Sequence, residues 1–251
     1  MRLLHRASVV LHVVDDFTGE IPPRAAAYCP TLDRRGLRNP SGYHLFSDLP
    51  PGRYDFRVSC PGYLDQETQV LLPDENGHRI CTVRLFYSRA NPTLPRRQHL
   101  LFLLSDGARG DEPLAERPVE LTLAPGSSPL RAAADAAAGD GLLTLNAGLQ
   151  ARLLRRELLD EEGTSHWLMG VEPERWAYRL DRPLEAPLAG GSRLTPVWRC
   201  RTDREGGVVL PVSSLLLPEG ERTFVLRWGE RERTAVAAPF SQNRRVVPVR
   251  F

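Results

Sequence analysis

Residues 53–60 alternate: Tyr54, Phe56, Val58 and Cys60 fall on one side, and Arg53, Asp55, Arg57 and Ser59 on the other. A period of two is what a half-buried antiparallel strand needs. Pro50-Pro51-Gly52 before it and Pro61-Gly62 after it interrupt the pattern, since proline lacks the amide donor and glycine relaxes the backbone. Similar runs predict strands at 24–29, 43–46, 66–72 and 79–87, the last with Cys81, Val83 and Leu85 on one face. Residues 7–14 are apolar on both faces, as a central sandwich strand can be. A polar loop is expected at 30–40, carrying Asp33, Arg34, Arg35 and Arg38, and a tight turn at 73–77. Leu49-Pro-Pro-Gly-Arg-Tyr54 suits the corner of a Greek-key sandwich, where a tyrosine after such a turn locks a strand crossing.

The same order starts again after residue 98. HLLFLLSDG follows the logic of VLHVVDDFTG, residues 118–123 match the second strand, and Leu217-Pro-Glu-Gly220 repeats Leu49-Pro-Pro-Gly52. Phe224, Leu226 and Trp228 alternate as Tyr54, Phe56 and Val58 do, and residues 245–251 parallel 79–85. An internal repeat at this spacing predicts two copies of one unit. The expected organisation is a domain at 1–88, a proline-containing linker at 89–97 and a second domain at 98–251. An insertion at about 124–197 interrupts the second copy and is too long for a plain loop. Within it, Leu149, Leu153, Leu154 and Leu158 share a helical face, with Asn146 near a capping position, so a helix is expected over 149–160. Residues 141–145 and 176–180 look extended and allow an extra hairpin. The fold class is therefore all-β: two tandem Greek-key, transthyretin- or Ig-like β-sandwiches, the second with a mixed α/β insertion.

Asp16-Phe-Thr-Gly19, Gly42-Tyr-His-Leu-Phe46, Leu49-Pro-Pro-Gly-Arg-Tyr54 and Pro61-Gly-Tyr63 occur in an order and spacing that resembles the carboxypeptidase regulatory-like domains, over roughly residues 7–87. The resemblance implies a transthyretin-like sandwich used for folding support, adhesion or assembly, without catalysis by the module. Hydroxyisourate hydrolases share that fold but end in Tyr-Arg-Gly-Ser; this chain ends Val249-Arg250-Phe251, which argues against their activity.

Composition narrows the chemistry. A net charge of +2 makes no electrostatic case for nucleic acid. All 33 basic residues are arginine, which excludes a phosphate-loop or Schiff-base lysine. No run approaches the length of a membrane span, so membrane insertion is not expected. The first residues read as the lead into a strand and not as a signal peptide. The expected location is cytoplasmic, or within a particle assembled there. Cys29, Cys60, Cys81 and Cys200 form no C-x-x-C pair and are expected as reduced, mostly buried thiols. No cofactor and no metal site are expected.

The six histidines form no metal-binding pair; His12 and His44 are expected as satisfied sheet residues. Asp15-Asp16 and Asp111-Glu112 suit Asx-type turns better than calcium. The densest polar and aromatic group lies in the insertion: Asp160, Glu161, Glu162, Ser165, His166, Trp167, Glu172, Glu174, Trp176 and Tyr178. Paired carboxylates beside rings are what a glycosidase uses. They also suit a recognition surface, with His166, Trp167, Trp176 and Tyr178 as anchors for a protein partner or a sugar. The expectation is a non-enzymatic adaptor that binds other proteins, with a carbohydrate-binding module as the alternative. An accessory part of a phage-tail-like contractile particle is one form of the first, by analogy of fold.

Overall fold

A computed structural model describes residues 7–73, 79–94, 99–211, 220–238 and 246–251. The chain divides into two compact units, Met1–Asn91 and Pro92–Phe251. In the first, the strands are β1 (Ala7–Asp15), β2 (Ala26–Cys29), β3 (Arg34–Arg35), β4 (Leu37–Arg38), β5 (Tyr43–Ser47), β6 (Gly52–Ser59), β7 (Gln66–Leu72) and β8 (Arg79–Leu85). They form two sheets, ordered β4-β5-β1-β8 and β3-β2-β6-β7. β1 runs antiparallel to β5 and parallel to β8.

The alternation seen in the sequence decides what faces inward. Val9, Leu11 and Val13 of β1 are fully buried and share one core with Phe46, Tyr54, Phe56, Val58, Leu72 and Leu85. The rings of Phe46 and Phe56 meet across the two sheets with centroids 4.7 Å apart. Tyr54 Oη donates to the Pro50 carbonyl at 2.8 Å, the bond that defines a tyrosine corner. Two expectations need correction or limit. Residues 30–40 are not a plain loop: a 3-10 turn at Pro30–Leu32 leads into β3 and β4, and Gly36 passes the chain from one sheet to the other. Four of the five residues expected to make the turn at 73–77 lie outside the described residues.

The second unit contains β9 (His99–Asp106), β10 (Glu112–Pro113), β11 (Pro118–Leu123), β12 (Leu142–Leu143), β13 (Glu157–Leu159), β14 (Ser165–Glu172), β15 (Ala177–Leu180), β16 (Thr195–Arg201), β17 (Gly207–Pro211), β18 (Arg222–Trp228), β19 (Arg231–Ala237) and β20 (Val246–Arg250). β9 stands between antiparallel β17 and parallel β20, as β1 stands between β5 and β8. β11, β18 and β19 pair in sequence as β2, β6 and β7 do. The closing bonds match as well: Asp16 N–H donates to Leu85 O at 3.0 Å, and Gly107 N–H to Phe251 O at 2.9 Å. Phe102 and Phe224 meet edge to face at 5.2 Å in the core between its sheets.

The insertion is β structure, not mixed α/β. Among the described residues there is no α-helix. The expected helix at 149–160 is a single 3-10 turn, Ala151–Leu153, followed by β13. Gly148, just before that span, and Arg155, inside it, both hold positive φ, 63° and 55°, and a continuous right-handed helix over 149–160 cannot contain Arg155 in that conformation. Leu158 is claimed from both sides, by His166 of β14 and Pro196 of β16. Asn146 caps no helix; its side chain accepts from Arg131 N–H and donates to Pro129 O. The two segments that looked extended do pair, Leu142 with Arg179 and Leu143 with Tyr178. The added strands join the sandwich sheet itself, giving an eight-stranded order β12-β15-β14-β13-β16-β11-β18-β19. The graft point is the crossover between β11 and β17, the place that β3 and β4 occupy in the first unit.

Candidate functional site

β14 and β15 form a hairpin whose tip is a 3-10 turn, Pro173–Arg175. Proline starts the turn with its φ already set. Trp176 closes it in the left-handed region, φ 50°, with its N–H bonded to Pro173 O at 3.2 Å. A bulky residue seldom adopts that backbone. Trp176 is 67% exposed. Arg175 and Glu174 flank it, also exposed, and Arg179 reaches Glu172 at 3.6 Å behind it.

The four residues expected to form one recognition surface separate. Tyr178 is fully buried; its hydroxyl donates to Gly148 O at 2.9 Å and accepts from Gln150 N–H at 2.6 Å. Burial pushes its pKa up. It clamps the loop where a helix was expected and cannot meet a partner. His166 is buried on the inner side of β14 and bonds Asp160 at 2.9 Å through Nε2. Trp167 is half-buried, opposite Glu157. Trp176 is the member of the four that stands free at the surface.

A reaction centre is not assembled from this group. Ser165 and His166 are consecutive on a strand and so face opposite sides. The Ser165 hydroxyl is spent on Glu157 Oε1 at 2.7 Å. Asp160 pairs with His166, and Glu172 lies six residues farther along β14, about 20 Å at the strand rise. The carboxylate pair of a glycosidase stands about 5–9.5 Å apart. Asp15 and Asp16, expected in an Asx-type turn, serve the fold. Asp15 accepts from Phe17 N–H, Thr18 N–H and the Tyr63 hydroxyl, the last at 2.7 Å, and Asp16 pairs with Arg84 at 3.2 Å. Burial first, and the bond to Asp15 second, push the Tyr63 hydroxyl far above its ordinary range. In the second unit Asp106 takes the same place and receives Arg231 at 2.9 Å and Ala108 N–H at 3.1 Å. Burial raises its pKa, but those bonds together with the charges of Arg231 and Arg109 outweigh it and hold the carboxyl below its usual range. No group of three metal-ligating side chains occurs among the described residues. None of the four cysteines is in a disulfide, and Cys29, Cys60 and Cys200 are buried.

Two features escaped the sequence. The first is a ladder of alternating charge on the eight-stranded sheet. Glu157 of β13 meets Arg199 of β16 at 3.0 Å; Arg199 meets Glu120 of β11 at 3.0 Å; Glu120 meets Arg227 of β18 at 3.1 Å; and Arg227 meets Glu232 of β19 at 2.8 Å. Each side chain was visible as polar, but the ladder exists only once strand order and register are known. The second is His44. It is 1% exposed, and neither ring nitrogen has a hydrogen-bond partner among the described residues. The satisfied sheet histidine expected there is absent. Arg38 donates to the carbonyls of Pro22 and Pro23.

No family model matches the chain, and no curated relative does. Among solved structures, the TIE protein of Bacillus anthracis aligns with 98% of this chain and 33% of its own, at 11% identity and a TM-score of 0.29. A streptococcal ancillary pilin aligns over 96% and 60%, at 15% identity and 0.25. GBS52, the minor pilin of Streptococcus agalactiae, aligns over 98% and 95%, at 10% and 0.24. This chain thus spans a third of the first and three-fifths of the second. At such TM-scores the likenesses bear on neither its topology nor its partners.

Proposed function

We propose that this chain is a non-enzymatic scaffold that binds another protein, and that the β14–β15 tip is where the partner docks. The observation that carries this reading is Trp176, two-thirds exposed at the tip of the hairpin beside Arg175. Tryptophan and arginine together are the residues that most often dominate a protein interface. Support for the scaffold comes from the two β units, each with its own core, and from the structural bonds that hold Asp15, Asp106, Ser165 and His166. The resemblance to carboxypeptidase regulatory-like domains belongs to the same proposal. It is supported by the tyrosine corner and by the first strand flanked by β5 and β8.

The test is immobilised chain against native lysate, with wild type and Trp176→Ala side by side. Trp176→Ala should reduce capture of a specific partner by about 2 kcal/mol, roughly 30-fold in affinity. Equal capture by both proteins would sink the reading. Recovery of sheath, tube or baseplate proteins would identify the assembly as a contractile particle. A glycan-array signal lost in Trp176→Ala would replace the protein partner with a sugar.

A further inference from the structure

β4 is two residues long, exposed at both, and holds β5 through the pairs Leu37–Leu45 and Arg38–His44. Two backbone bonds fix its ends: Gly36 N–H donates to Ala27 O at 2.9 Å, and Asn39 N–H to Tyr43 O at 2.9 Å. The Arg38 guanidinium straps it to the chain after β1 through the carbonyls of Pro22 and Pro23. Leu37 is 72% exposed, so the strand buries little apolar surface and costs little to release.

Beneath β4 lies a group that acid changes. His44 alternates inward with Phe46 on β5, and neither of its ring nitrogens has a hydrogen-bond partner among the described residues. The Cβ that Gly36 lacks would fall 3.2 Å from His44 Cβ, so the chain entering β4 lies directly on this residue. The inward side chains of the elements packed with it are Leu11 of β1, Phe46 of β5, Ala27 and Cys29 of β2, and Phe56 and Val58 of β6. None of these is charged at neutral pH. Arg38 of β4 is the charged group whose field reaches the ring. An imidazolium in this place is a cation without a partner in an apolar core, beside a like charge. That like charge sits on the strand that is cheapest to move. When β4 lifts, water reaches the ring and the two cations part.

We propose that His44 and β4 form an acid-released latch: β4 lies on β5 while the imidazole is neutral, and protonation of His44 is met by β4 leaving. β5 then becomes the edge of its sheet in place of β4. The latch exposes a strand edge, the kind of surface another chain can pair with, in acid and covers it at neutral pH. It lies in the first unit and Trp176 in the second, so either reading can fail alone.

The experiment is amide exchange on the full chain at pH 7.5 and 5.5, compared as protection factors. An opening that takes up one proton at an imidazole of ordinary pKa, about 6.5, becomes about tenfold more frequent over this interval. In wild type the Gly36 and Asn39 amides should lose about tenfold protection at pH 5.5, while the amides of β6 keep theirs. In His44→Leu the loss should be absent; should that variant not fold, His44→Met takes its place. Equal protection of Gly36 and Asn39 at the two pH values in wild type overturns the proposal. So does a loss shared by β6, which is unfolding of the whole unit, or a loss that persists without the imidazole.

Discussion

Burial strips water from the His44 imidazole and supplies no partner for either nitrogen. Burial first, and the Arg38 charge second, push its pKa below the ordinary 6.5. The unfolded chain therefore takes up a proton before the folded one does. Stability contributed by neutral His44 is present above about pH 6.5 and falls as pH drops from there toward the folded value. Thermal unfolding of the first unit at pH 7.5 and 5.5 should show this loss, and His44→Leu should reduce it without lowering stability at pH 7.5. An unchanged pH difference would assign the effect elsewhere. At this scale the sequence was legible where a residue's surroundings are local. The Tyr54 corner was readable because its partner, Pro50, is four residues away. His44 was misread because its lack of partners depends on what Phe46, Gly36 and Arg38 do around it.

Strands were legible wherever one face is buried, since alternation is imposed by burial itself. The bounds of β7 and β11 follow from it directly. The helix at 149–160 failed for the same reason in reverse. Leucines spaced to share a helical face also serve a strand and a turn, and the two left-handed residues, Gly148 and Arg155, carry no helical warning in the second case. The charge ladder is a property of elements in register. Glu120 is its centre, shared by Arg199 and Arg227. Glu120→Gln should remove two pairs and leave the arginines facing each other across β11. The expected cost is about 1 kcal/mol at low salt, less at 0.5 M, because both arginines are partly solvated. Chemical denaturation at the two salt concentrations measures it; an equal effect at both would mean packing and not charge.

The core of the first unit draws every member from residues 9–85. Residues 1–91 alone should therefore fold and melt in one cooperative step, measured by circular dichroism; a broad, non-cooperative melt would show that the unit depends on the rest of the chain. The meaning of the insertion was not legible in the sequence. Its position at a crossover, between β11 and β17, appears only when the pairing is known. That position sets a schedule for synthesis. Val10 finds Leu45 after 35 residues, but Leu101 must wait for Val209, 108 residues on. At roughly 5–20 residues per second on the ribosome, the first wait is about 2–7 s and the second about 5–20 s. For that interval the apolar run Leu100–Leu104 has been made and its strand partners have not. The same graft that lengthens one sheet thus lengthens the wait of its companion, whose run Leu100–Leu104 is made long before β17.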